Sequence, residues 1–106
     1  MQNISSLTDF KRKMEGRDRV ALLIHNPDNE LSRCAFRSIA EASFLSEETL
    51  VCIADLTQVG DINLLYESKG GPALLLFENG DLKQIVEGCH ESDYFRVLIG
   101  RHFSAS

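Results

Sequence analysis

Gly70-Gly71-Pro72-Ala73-Leu74-Leu75-Leu76-Phe77-Glu78-Asn79-Gly80-Asp81-Leu82 is the stretch that decides how this chain folds. A proline directly before a continuous apolar run fits the first residue of a strand, where its missing N–H costs least. Ala73 to Phe77 then reads as a strand buried on both faces. Asn79-Gly80 is the strongest short-range hairpin signal, because a type I′ turn needs positive φ at both central residues. Leu82 to Glu87 is the partner strand. Gly88 follows it, and then a helix from about Ser92 to Phe103 that places Tyr94, Phe95, Val97 and Leu98 inward.

Working back from there, Leu50-Val51-Cys52-Ile53-Ala54 and Val20-Ala21-Leu22-Leu23-Ile24 are two more short, fully apolar strands. Between them, His25 to Asn29 is a loop by its turn residues. From about Leu31 to Phe44 the apolar positions suggest a helix with one buried side, broken at Ser46-Glu47-Glu48. A first helix opens at Leu7-Thr8-Asp9-Phe10, with Thr8 or Asp9 as cap and Gly16 as stop. A short helix runs from Asp61 to Ser68. The order is (β)αβαβαββα. The Val20–Ala54 segment is a β-α-β crossover, hence a parallel, right-handed unit. The hairpin adds antiparallel strands. The fold class is therefore α/β: a central mixed sheet flanked by helices on both faces, in a single domain over residues 1–106.

Composition narrows the partners. The 106 residues are 43% hydrophobic and carry a formal net charge of −5. That charge argues against nucleic acid, whose binding needs clustered Lys and Arg. Lys11-Arg12-Lys13 is the solvated face of the first helix. No apolar run approaches a membrane span. The first residues carry no feature of a secretory signal, so the cytoplasm, with reduced thiols, is the expected compartment. Gly70-Gly71 lacks the Lys and Ser/Thr of a phosphate loop. His90, His102 and the cysteines show no zinc-ligand spacing, so no metal and no cofactor are expected.

The chain has three cysteines, Cys34, Cys52 and Cys89, and no C-x-x-C. Its order of elements nevertheless resembles the thioredoxin family over nearly the whole length. From Tyr66 to the end the resemblance runs without a gap. Tyr66 falls on the family's aromatic before the proline loop, and Pro72 on its cis-proline. Leu74 to Phe77 with Asn79-Gly80 falls on the "LLLF-NG" strand and turn, and Gly88 on the glycine beside the active-site surface. In the first half, Cys34 falls on the second cysteine of the family motif, which here reads Leu31-Ser32-Arg33-Cys34. Leu31 holds the place of the nucleophilic cysteine, Glu30 that of the tryptophan before it, and His25 that of the buried acidic residue. Two residues are inserted between Asp55 and Tyr66.

What the resemblance implies is set against these departures. Dithiol exchange needs one thiolate to attack and a neighbour to resolve the mixed disulfide. With leucine at the attacking position, the family's usual route is closed. The expected function is therefore a non-catalytic protein-binding, adaptor or chaperone-like module. It would hold a protein or extended peptide in a groove around Gly71, Pro72, Gly88 and the Leu31-Ser32-Arg33 loop. The residue before the proline is Gly71, so the backbone there is open to strand-like pairing. The alternative is an atypical thiol–disulfide oxidoreductase. Cys34 is its thiol, in the first turn of a helix where a thiolate is favoured. Cys89 resolves, and His25 is a base. For Cys34 a small packing residue, for Cys89 an incidental exposed thiol and for His25 a backbone-bonded ring stand beside these roles. A Cys34–Cys89 disulfide belongs to the alternative. Cys52, in mid-strand, is core. Oligomeric state and partner identity are not written in the sequence.

Overall fold

In the computed structural model, which describes residues 1–43, 49–66 and 71–100, the apolar runs become the middle of a sheet. The elements are β1 (Gln2–Asn3), α1 (Leu7–Met14), β2 (Arg19–His25), α2 (Glu30–Ser43), β3 (Leu50–Asp55), a 3-10 helix (Gly60–Leu64), β4 (Ala73–Glu78), β5 (Asp81–Glu87) and α3 (Ser92–Ile99). The five strands lie in the order β1-β3-β2-β4-β5. β2 is parallel to β3, with Leu22 beside Cys52, whereas β2–β4 and β4–β5 are antiparallel. This is the mixed sheet expected from the sequence. Phe44, Ser46 to Glu48, Ser68, Gly70, His102 and Phe103 lie outside the described residues.

Alternation along the strands builds two cores, because successive side chains in a strand point to opposite faces. Ala21, Leu23, Val51, Ile53, Leu74 and Leu76 face α2 and α3, meeting Ile39, Phe95 and Leu98. Val20, Leu22, Ile24, Cys52, Leu75 and Phe77 face the other way, against Phe10 of α1 and Ile62 of the 3-10 helix. Each fully buried large side chain contributes roughly 1.5–3 kcal/mol.

The hairpin forms as its two residues dictate: Asn79 has φ 53° and Gly80 φ 86°. A register irregularity between Leu76 and Phe77 kinks β4–β5 beyond what the alternation of apolar residues signals. Two local expectations change. α1 is capped by Ser6, whose Oγ accepts the Asp9 N–H at 3.0 Å, rather than by Thr8 or Asp9. Asp9 instead accepts the Ser5 N–H at 2.9 Å, a reciprocal cap that satisfies one more free donor. On α3 the buried residues are Phe95, Leu98 and Ile99, while Tyr94 and Val97 are exposed. A helical stripe of this width takes i, i+3 and i+4, which excludes positions 94 and 97.

Candidate functional site: a cysteine pair beside a cleft

The loop after β2 is organised by its own side chains. Asn26 Oδ1 accepts the Asp28 N–H at 3.1 Å, an Asx turn. Asn29 Oδ1 accepts the Ser32 N–H at 2.9 Å and so caps α2. Arg33 donates from Nη1 to the Pro27 carbonyl at 2.8 Å. Ser32 is fully buried. Its Oγ accepts the Asn26 N–H at 2.8 Å and lies 3.3 Å from His25 Nδ1. Ser32 thus holds the loop from inside, while Leu31, 57% exposed, faces outward.

Cys34 is the fifth residue of α2, which begins at Glu30. It therefore sits just past the first turn, not in it as expected from the sequence, and beyond the free N–H groups where the helix dipole acts most strongly. Cys34 is disulfide-bonded to Cys89, 55 residues away, with a Cα–Cα distance of 5.8 Å. Both are half-buried. His25 is tied to Ser32 and, by ring contact at 5.1 Å, to Phe36. These are the residues two before and two after Cys34 on α2. Across the parallel register His25 faces Asp55. Hydrogen bonds from the Thr57 hydroxyl and amide hold that carboxyl below the usual carboxylate range, with a smaller contribution from His25.

Pro72, expected in cis, follows a trans bond: no peptide bond among the described residues is cis. Trans is the lower form of an X–Pro bond by about 0.5–1 kcal/mol. Strand pairing sets the entry to β4 here, with the Pro72 carbonyl accepting the Gly88 N–H at 3.1 Å and Ala73 in register with Glu87. The argument for a groove built on a cis bond falls away, but a cleft of about 150 Å³ is present without it. Leu31, Gly71, Pro72, Ala73 and Gly88 line this cleft together with Tyr66 and Glu87. Gly88 has φ 88°, a conformation glycine adopts without strain. Tyr66 donates its hydroxyl to Glu87, a bond that raises the Tyr66 phenol above its ordinary range.

Tyr66 and Glu87 were not marked as site residues from the sequence. Glu87 was legible only as the polar last position of a strand, and its meeting with Tyr66 is a tertiary event. A larger hollow of about 400 Å³ lies at the other end of β4, between the end of α1 and the Asn79-Gly80 turn. It holds Lys11 and Arg17 beside Glu15 and Asp18; the smaller cleft is the one whose lining includes Gly88, the chain neighbour of Cys89, and Leu31, one helical turn before Cys34. Among the described residues no group of three His, Cys, Asp or Glu is placed to hold a metal ion. No helix among them is long and apolar enough to cross a membrane.

Cys52 is the free cysteine among the described residues and is fully buried. Burial pushes its thiol up to about 11. Its contribution to stability is therefore present below the unfolded thiol value of about 8.5 and is lost as pH rises from there through the folded value. Iodoacetamide at pH 8 is expected to add two groups to the reduced, folded protein and a third only after denaturation, read by intact mass. Three additions at equal rates in the folded state would contradict the buried placement.

The sheet order and helices on both faces define a thioredoxin-like fold. A Plasmodium falciparum thioredoxin superposes with a TM-score of 0.83 at 13% identity, over 93% of this chain and 96% of that one. A thioredoxin of Malassezia sympodialis (Mala s 13) gives 0.83 at 18% identity, covering 96% and 92%. Mitochondrial thioredoxin 3 of Saccharomyces cerevisiae, in its oxidized form, gives 0.81 at 14% identity, covering 93% and 92%. No family model matches the chain, and no curated protein matches it.

Proposed function

We propose that this chain is a thiol–disulfide oxidoreductase whose two cysteines come from separate elements, Cys34 on α2 and Cys89 after β5. The observation that carries this reading is the Cys34–Cys89 bond, which joins α2 to the loop after β5. Leu31, which lines the cleft, is one helical turn before Cys34, and Gly88, which also lines it, is next to Cys89. In the reduced protein the Cys34 thiolate attacks one sulfur of a disulfide in a partner polypeptide. The partner's other sulfur leaves as a thiolate. Cys89, as thiolate, then attacks Cys34 Sγ, forming Cys34–Cys89 and releasing the partner's second thiolate. Two electrons pass from the dithiol to the partner, and the two protons given up by the Cys34 and Cys89 thiols to solvent are regained from solvent by the partner's thiolates. A second dithiol must reduce the pair for another turnover.

In the cytoplasm, the compartment proposed here, disulfides are mostly transient and catalytic or redox-sensing, which supports an exchangeable pair over a staple. The second reading is the binding module expected first from the sequence, with the disulfide as a fixed brace. It is favoured by the exposed Leu31 at the cleft. The two separate on one measurement, equilibration with thiol buffers of known potential followed by alkylation and mass analysis. The oxidoreductase is expected to show a Cys34–Cys89 midpoint above about −300 mV, and Cys89→Ser to trap a mixed disulfide on Cys34. A pair that stays oxidised below that potential, with no trapped species, establishes the brace.

A further inference from the structure

The cleft beside the cysteine pair is apolar except at one place. Leu31, Pro72 and Ala73 offer carbon surface, and Glu87 brings the carboxylate. Glu87 is anchored there: it is paired in register with Ala73 at the start of β4, and its Oε1 accepts the Tyr66 hydroxyl. A carboxylate has about four lone-pair positions, so one phenol bond leaves room for a second donor. The chain as a whole carries a net charge of −5. A carboxylate on the wall of an apolar cleft favours one kind of occupant and repels another, and such local charges set specificity more than total affinity.

We propose that the cleft takes a cationic segment of a partner polypeptide, an apolar side chain against Leu31 and Pro72 with a neighbouring Lys or Arg on Glu87. Glu87 is the specificity-determining residue. The proposal rests on the cleft being the docking surface of the thiol pair, but it concerns binding and needs no electron transfer.

The test uses the full-length oxidised protein and two fluorescein-labelled octapeptides, identical except that a central Leu is flanked by two Arg in one and two Glu in the other. Anisotropy at low salt is expected to show about tenfold tighter binding of the cationic peptide, with the gap narrowing as salt screens it. Glu87→Gln is expected to reduce the ratio to about twofold, Glu87→Asp to retain most of it, and Leu31→Ala to weaken both peptides alike. Glu41→Gln, the same charge change on an exposed residue farther along α2, is expected to leave the ratio intact. Equal binding of the two peptides overturns the proposal. So does a ratio that falls equally in the Glu87 and Glu41 variants, which would trace it to net charge alone. Charge preference without disulfide exchange would overturn the oxidoreductase reading and leave this one standing. Exchange without charge preference would do the reverse.

Discussion

Reduction of the Cys34–Cys89 bond is expected to lower the unfolding free energy by about 2–4 kcal/mol. The bond joins residues 55 apart in sequence. In the chain-entropy account a closed loop of that span removes about 4 kcal/mol of freedom from the unfolded chain. Measured contributions commonly fall at or below the figure of the chain-entropy account, which sets the expected range. The measurement is urea unfolding with and without a phosphine reductant, and the double variant Cys34→Ser/Cys89→Ser should match the reduced protein. A loss under about 0.5 kcal/mol, with the bond verified by intact mass, would contradict the expected stabilisation. The same number bears on function, because the fold stabilises the bond by as much as the bond stabilises the fold. Each 1.4 kcal/mol lowers the disulfide potential by about 30 mV. A loss near 2 kcal/mol keeps the pair exchangeable with a cellular dithiol, whereas a loss well above 4 kcal/mol would move it toward a fixed brace.

Phe10→Ala is expected to cost about 3–5 kcal/mol. Phe10 is fully buried and is the largest side chain that α1 sends into the sheet. Its ring meets Phe77 of β4 at 5.3 Å between centroids in an edge-to-face arrangement. Truncation removes this contact and leaves a void between α1 and the sheet, walled by strand side chains that are themselves fully packed. Total stability of a domain is commonly about 5–15 kcal/mol, so a loss of this size brings the protein close to unfolding at ambient temperature. The readout is the denaturant midpoint at unchanged slope. Val97→Ala on α3 is the contrast: Val97 is 58% exposed, and its truncation is expected to stay within about 0.5 kcal/mol. Equal effects of the two substitutions would contradict the assignment of faces on α1 and α3.

The strands were legible because their signals are local and strong. Val20 to Ile24, Leu50 to Ala54 and Ala73 to Phe77 are apolar at every position, as strands covered on both faces must be. Asn79-Gly80 announces its own turn, since few other pairs hold positive φ twice. Helix faces were read less well. Tyr94 and Val97 are as apolar as their neighbours, and only the packing direction of α3 leaves them in water. The cap of α1 lies two or three residues before the expected Thr8 or Asp9, because Ser6, Thr8 and Asp9 all suit the role and the choice falls on the residue whose Oγ reaches the Asp9 N–H. Pro72 shows the limit of resemblance: the residue and its neighbours match a pattern, yet the bond before it is trans.

By itself the sequence determined the α/β order, the hairpin, the buried position of Cys52 and the absence of a C-x-x-C. These follow from alternation, turn chemistry and residue identity, all expressed within a few neighbouring positions. Only the tertiary structure decided that Cys34 meets Cys89, that Ser32 turns inward while Leu31 turns out, and that Tyr66 bonds Glu87 beside the cleft. Each of these depends on where separate elements come to rest. The β2–β4–β5 register and the packing of α2 against α3 place the two cysteines side by side, and no local propensity encodes a distance between elements that meet only when the cores close.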